Sequence, residues 1–332
     1  MTFFFGNAVE IVVANVLTIC GRAIGPETHL PLSPNIRGSL FMAVGMASFT
    51  MNDAITKAVS SEMNFGQVML VRGLFATVLI AALALRRRAI RPLRALTIRP
   101  VVLRVAAEVG GTIAFLTAIV HLPLANTAAI FQALPLAVTL GAVLVFGEPV
   151  GWRRWLAITA GFVGVLIIVR PGFEGFSQFS LFALISVIFF AVRDITTRRI
   201  PAQIPSLLIT LATTVTVTAA GAVMLFPLGG WMPLSARGLG LLALAAILVL
   251  IGYQYVIMAL RTGDISAVAP FRYSALLWAI LLGYLVFGDI PDRLMITGAS
   301  IIVLSGLYTF HREHLRHRPV AASASGLPPE GV

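Results

Sequence analysis

Six ionisable side chains lie inside strongly apolar runs of this chain: Asp53, Arg72, Glu108, Arg193, Asp194 and Arg272. In hydrocarbon such a group costs at least about 2.5–3.5 kcal/mol, so those that persist face a bundle interior, a partner or water. Asp53 and Arg72 suit a pair facing a shared cavity, where they would hold a ligand or a gate. The same two residues also suit a buried ion pair that locks two helices. Glu108, beside Gly110-Gly111, is a candidate for binding a cation or carrying a proton. Its alternative is a pair with Arg104, one helical turn earlier on the same face, with the Arg104 head snorkelling to the interface. Arg193 and Asp194 are sequence neighbours and point to different helix faces, which predicts that they do not pair with each other. Asp194 is expected to face the cavity, with an interfacial pair to Arg198 or Arg199 as the alternative.

Arg272 and Tyr273 follow Pro270, which loosens the local backbone hydrogen bonding. Arginine offers a rigid planar fork for carboxylate or phosphate and stacks on aromatic rings. Tyr273 adds a ring and a hydroxyl. The two together suit a ligand with an aromatic base and an anionic group. The competing reading anchors Arg272 at the membrane surface. Asn52, Gln132, Tyr253 and Gln254 are neutral polar groups at membrane depth, fit either to bind a ligand or to glue helices together. The candidate binding set is therefore Arg272, Tyr273, Arg72, Asp53, Asn52, Gln132 and Tyr253, with Glu108 and Asp194 as coupling candidates. No catalytic residue, metal site or cofactor is expected. Cys20 is the single cysteine, and no Walker loop, HExxH or GxSxG motif occurs. Three of the five histidines, His311, His314 and His317, lie in or beside a basic tail. Such tails sometimes bind metal, but a solvated tail is the expectation here.

The elements that must position these groups are transmembrane helices. Of 332 residues, 58% are hydrophobic and 11% charged, whereas a soluble domain carries roughly 25% charged residues. The net charge is +11, but the basic residues cluster at the ends of apolar runs, which argues against nucleic acid as the partner. Continuous apolar runs rather than alternating ones exclude a spanning β-barrel. Ten spans are predicted: 38–58, 66–86, 101–120, 124–146, 154–170, 178–197, 206–228, 238–260, 265–287 and 293–311. Turn signals such as Gly147-Glu148-Pro149 and Arg170-Pro171-Gly172 separate them. With the N-terminus in the cytoplasm, Lys57, Arg170, Arg237 and Arg293 lie at outer ends. Four arginines lie within spans, and the other sixteen of the 24 basic residues lie on the inner side. That bias predicts cytoplasmic termini in the inner membrane. Residues 1–37 form an N-terminal extension, read first as a membrane-surface helix and alternatively as an extra span or the product of a wrongly chosen start codon. Residues 312–332 read as a disordered cytoplasmic tail.

An internal repeat organises the bundle. A shift of 141 residues places Ser39-Leu40-Phe41 on Ser180-Leu181-Phe182, Asp53 on Asp194, Gly111 on Gly252, and Val145-Phe146-Gly147-Glu148 on Val286-Phe287-Gly288-Asp289. The repeats are 38–170 and 178–311, five spans each. An odd count forces the second to enter the membrane from the opposite side, which predicts an all-α, ten-helix fold of two inverted-topology repeats. Gly161, Gly164, Gly141 and Gly151 are expected to be close-packing positions.

These corners and repeats resemble the EamA-type members of the drug/metabolite transporter superfamily, over about residues 38–311. Asn52-Asp53-Ala54-Ile55-Thr56-Lys57, Arg193-Asp194-Ile195-Thr196-Thr197-Arg198-Arg199 and Ala269-Pro270-Phe271-Arg272-Tyr273-Ser274 resemble the subgroup of S-adenosylmethionine and riboflavin carriers. The second repeat departs from the Gly-Glu corner with Gly288-Asp289, and residues 1–37 have no counterpart. The resemblance implies a secondary transporter working by alternating access. Its substrate would be S-adenosylmethionine, riboflavin or an amino-acid-like compound. The expected partners are a small-molecule substrate, the lipid bilayer and a coupled proton or counter-substrate, in a monomer or homodimer. Competing classes are a membrane-embedded enzyme acting on lipid and a channel or non-transporting scaffold. The first needs a clustered acid/base site at one membrane face, whereas the predicted topology puts Asp53 and Asp194 on opposite sides. The second needs a continuous polar stripe, and the polar residues are scattered.

Overall fold

The computed structural model describes residues 33–87, 93–147, 152–171, 176–201, 203–262 and 268–316. The corner residues Glu148 and Pro149, Gly151, the extension up to residue 32 and the tail from residue 317 lie outside them, as do the side chains of the tail histidines. Among the described residues every regular element is helical: α1 (Pro34–Val59), α2 (Phe65–Arg86), α3 (Arg99–His121), α4 (Leu124–Phe131), α5 (Leu134–Phe146), α6 (Trp152–Val169), α7 (Phe179–Thr197), α8 (Ser206–Leu225), α9 (Ala236–Thr262), α10 (Ser274–Leu282) and α11 (Arg293–Arg316). A 3₁₀ turn, Ala269–Tyr273, leads into α10, and a π turn, Gly283–Phe287, follows it. The first helix starts at Pro34, so the last residues of the expected extension belong to the bundle.

Local chemistry fixes the ends. Ser33 caps α1, accepting from the Ile36 N–H, and Asn64 caps α2, accepting from the Gln67 N–H at 2.9 Å. Gly147 ends α5 and Gly288 ends the π turn, both left-handed, with φ of 65° and 70°. Those backbones suit glycine because it has no Cβ to clash there.

Seven segments are long and apolar enough to cross a membrane, counting α4 with α5 as one and Pro270–Phe287 as another. Only 22–44% of their residues are buried in the protein. The remainder forms apolar outer faces, such as Leu74, Val78 and Leu85 on α2. Lipid satisfies such a surface and water does not; this is a multi-pass membrane protein. Two further helices, over Trp155–Val169 and Arg293–Tyr308, are apolar but shorter. α1 is not among the seven. Its length suffices, but Ser48, Thr50, Asn52, Asp53 and Thr56 lower its hydropathy.

The expected fourth span is not one continuous helix. It breaks between Phe131 and Leu134, where the Gln132 and Ala133 N–H groups turn back to Ala129 and Ile130 carbonyls. Pro135 supplies the reason: it has no N–H to continue the ladder.

The most extensive packing joins α1 to α9, α3 to α7, α2 to α8 and α6 to α11. Glycines make the approaches close. A Cβ on Gly164 would stand 2.7 Å from the Gly298 carbonyl oxygen, and one on Gly221 2.7 Å from the Leu70 nitrogen. Gly161 faces Leu136 and Gly141 faces Ile195. The main core cluster joins Leu122 of the α3–α4 turn to Ile130 of α4, Val165 of α6, Phe190 of α7, and Met295 and Ile302 of α11.

Candidate functional site

On α1, Asn52 and Thr56 are one turn apart and face Arg72 of α2. The Arg72 Nη1 donates to Asn52 Oδ1 at 3.2 Å and to Thr56 Oγ1 at 3.4 Å. Asn52 Nδ2 donates in turn to Asp53 Oδ1 at 2.9 Å. Asp53 and Arg72 therefore meet through an asparagine, not by a direct ion pair.

A second network sits between α3, α7 and α8, and two expectations fail there. Arg193 does pair with its neighbour: Nε donates to Asp194 Oδ1 at 2.7 Å. Three methylenes let the guanidinium fold back across the angle between adjacent positions, so helix-face geometry judged at Cβ is too strict for arginine. Glu108 pairs not with Arg104 but with Arg193, whose Nη1 lies 3.3 Å from both carboxylate oxygens. Arg104 crosses instead to hydroxyls, Nη1 donating to Thr213 at 2.7 Å and Nε to Thr197 at 3.1 Å. Arg193 also lies over the Phe190 ring, 4.6 Å from its centroid. It is thus the hub of this network, which sequence reasoning missed. Its position inside a span was a signal; which helices meet there was not legible.

Arg272 sits in the 3₁₀ turn before α10. Its guanidinium is exposed to the space between the helices and makes no hydrogen bond or ion pair among the described residues. Tyr273 borders the cavity but is largely buried: its hydroxyl lies against Gly306 of α11 and has no hydrogen-bond partner among the described residues. The two helix breaks fall at corresponding places: Gln132 and Tyr273 are 141 apart.

One cavity of about 1540 Å³ joins these groups. Asn52, Asp53, Arg72, Glu108, Gln132, Tyr253, Arg272 and Tyr273 all line it, with Arg104 and Arg193. Asp194 is not a lining residue and reaches the cavity through Arg193. Aromatic rings face the same space: Phe115, Phe131 and Phe190 in edge contacts of 5.2 and 5.4 Å, and Phe49 against Tyr253 at 5.0 Å. At one end the lining includes Arg37, Arg87 and Arg261 at the tips of α1, α2 and α9. At the opposite end the helices are tied together. Lys57 donates to the Ile119 carbonyl at 3.1 Å and to that of Leu122, and lies over Phe287. Gln67 exchanges two 2.9 Å hydrogen bonds with the Met232 backbone, and Asn64 donates to Gly230 at 2.8 Å. Such an arrangement can bind a small organic molecule from one side while shutting it off from the other.

Comparison with known proteins bears on the class. Residues 36–170 match the EamA-like transporter family. The chain is 25% identical over 311 residues to a riboflavin transporter of Rhizobium johnstonii, covering 89% of this chain and 98% of that one. It is 23% identical to an S-adenosylmethionine uptake transporter of Rickettsia prowazekii, covering 85% and 95%. It is also 25% identical to a pseudopaline exporter of Pseudomonas aeruginosa, covering 81% and 95%. A solved structure of 15% identity superposes with a TM-score of 0.59 over 84% of this chain and 98% of that one, a likeness of fold. Residues 36–170 thus resemble an EamA-like transporter domain, and along most of its length the chain is similar to proteins named as transporters.

Proposed function

We propose that the protein is a secondary transporter that moves a small organic metabolite across the bacterial inner membrane by alternating access. The observation that carries this is a cavity lined by Asp53, Arg72, Glu108 and Arg272, with arginines at one end and interhelical hydrogen bonds joining the elements at the other. The relatives' names put riboflavin, S-adenosylmethionine and pseudopaline among the candidate substrates, beside amino-acid-like compounds.

The moving parts in this reading are two inverted five-helix repeats, 38–170 and 178–311, with both termini in the cytoplasm. Several contacts support it. The Thr77 and Thr218 hydroxyls, 141 apart, meet at 3.3 Å. Gly111 packs on Phe190 and Gly252 packs on Phe49, again with the offset of 141 and the partners exchanged. Gly66 lies by Met224 and Gly73 by Thr218, so α2 and α8 run antiparallel. A helix antiparallel to its own repeat mate favours an axis in the membrane plane, which is the inverted case. On that topology the closed end is outside, and the cavity faces the cytoplasm.

Asp53, Asn52, Arg72, Gln132, Tyr253, Arg272 and Tyr273 are the proposed substrate-binding residues, and Glu108 with Asp194 the proposed coupling groups. Purified protein in proteoliposomes, with and without an imposed proton gradient, tests the reading. Saturable uptake of one candidate, abolished by Arg272→Ala at normal insertion, is the expected result. Linear, non-saturable flux would indicate a channel, and absence of flux for every candidate would remove the transporter reading.

A further inference from the structure

We infer that the cavity selects a small organic anion with a planar ring, and that Arg272 is the cation that decides the sign. This rests on the transporter reading for what binding achieves; the selectivity itself follows from charge. Inside the cavity each acidic side chain has a basic counterpart. Asp53 is matched by Arg72 through Asn52. Glu108 and Asp194 are matched by Arg193, which touches both, and by Arg104 in the same network. Arg272 is the remainder. It faces the cavity and makes no hydrogen bond or contact ion pair among the described residues; Asp194, already held by Arg193, acts on its charge only at longer range. Protonating any of the three acids would only enlarge the positive excess, so the sign does not depend on their state. Arg87 and Arg261 at the mouth add to it.

A guanidinium that faces the cavity with no counter-ion in contact has its planar fork free, and a carboxylate or phosphate can take it up through two parallel hydrogen bonds. A ligand with excess positive charge is repelled instead. S-adenosylmethionine, with a sulfonium and an ammonium against one carboxylate, is such a ligand. The rings of Phe131, Phe190 and Tyr253 supply faces and edges on which a planar body can lie.

Two measurements on the full-length protein test this. With Cys20→Ser and Ala275→Cys, a thiol is placed on the cavity lining one turn beyond Arg272. Its modification by a sulfonate-bearing and a trimethylammonium-bearing methanethiosulfonate is followed by mass spectrometry and normalised to free thiol. The anionic reagent is expected to react about tenfold faster. Arg272→Gln should lower that ratio about fivefold or more, and Arg272→Lys, which keeps the charge, should leave it within about twofold. A ratio at or below one overturns the inference. So does a ratio unmoved by Arg272→Gln.

Riboflavin and flavin mononucleotide then form a matched pair that shares a ring and differs by one phosphate. Tighter binding of the mononucleotide, lost in Arg272→Gln, is expected; preference for riboflavin overturns the anion assignment. Vesicle flux separates the two readings. If the charge ratio holds and no anion crosses, the transporter reading falls and the anion site stands. If riboflavin and S-adenosylmethionine cross as fast as flavin mononucleotide, the carrier stands and the anion assignment falls.

Discussion

Arg193 and Arg272 are both arginines at membrane depth, and their surroundings give them opposite expected behaviour. Arg193 holds two carboxylates. Arg193→Ala leaves Glu108 and Asp194 without their cation, and charge-assisted hydrogen bonds of this kind are worth about 1.5–3 kcal/mol each. Because Asp194 is 38% exposed, the lower end applies to that pair. A clear fall in melting temperature in detergent is expected, partly recovered when Glu108→Gln is added. Arg272 makes no hydrogen bond or contact ion pair among the described residues, so Arg272→Ala should leave the melting temperature unchanged while uptake falls. Arg272→Lys loses the planar fork and should also weaken uptake. Equal melting losses for Arg193→Ala and Arg272→Ala would contradict this division. Glu108→Gln tests coupling: loss of proton-driven uptake with exchange intact assigns the proton to Glu108, and equal loss of both makes it structural.

At the scale of elements, the two antiparallel pairs α2–α8 and α6–α11 depend on missing side chains. A Cβ on Gly298 would stand 2.6 Å from the Gly164 carbonyl oxygen and 2.7 Å from Ile168 Cγ1. One of these contacts is backbone and cannot rotate away. Gly298→Ala should therefore cost about 1–3 kcal/mol, read as a lower melting temperature. Gly147→Ala meets no such neighbour among the described residues, and its cost comes from the left-handed backbone, about 1 kcal/mol. The loop end of α11 gives a pH test. Asp292 caps α11 by accepting from the Met295 N–H at 2.7 Å and pairs with Arg170. Partial desolvation works against ionisation, but the Arg170 hydrogen bond, the backbone N–H groups and the Arg170 charge outweigh it and hold the carboxyl below its ordinary value. A depressed folded-state value means that the contribution is full above the ordinary carboxylate value of 3.8 and is lost as pH falls through the folded one. Asp292→Asn keeps a capping oxygen and loses only the ion pair. It should cost under about 1 kcal/mol at neutral pH and flatten the acid limb of the melting profile. An unchanged acid limb would show that the pair contributes nothing.

The whole molecule is tested by its topology. Ile290 is 79% exposed in the turn before α11, on the face proposed to be external. In a Cys20→Ser background, Ile290→Cys should react with an impermeant thiol reagent in intact cells. Reaction only after permeabilisation would reverse the orientation, and with it the direction in which the cavity opens. A structure in which 38–170 superposes on 179–311 about an axis along the membrane normal would refute the inverted repeat.

The sequence by itself determined the elements and the cost of what lies in them. Hydrocarbon has one acceptable backbone solution for a lone segment, the helix, so apolar run length read out α2, α3 and α7 to within about two residues. The same cost argument marked Asp53, Arg72, Glu108, Arg193, Asp194 and Arg272 as residues needing a reason to be there. It did not say what the reason was. Partners come from other helices, so only the tertiary structure decided that Glu108 pairs with Arg193 rather than Arg104, that Asn52 stands between Asp53 and Arg72, and that the Tyr273 hydroxyl lies against Gly306. It also interrupted the fourth span at Gln132, where Pro135 was in plain view. A long flexible side chain can reach several neighbours from one Cβ, and the choice among them is made by which helices pack, which spacing along one chain does not encode.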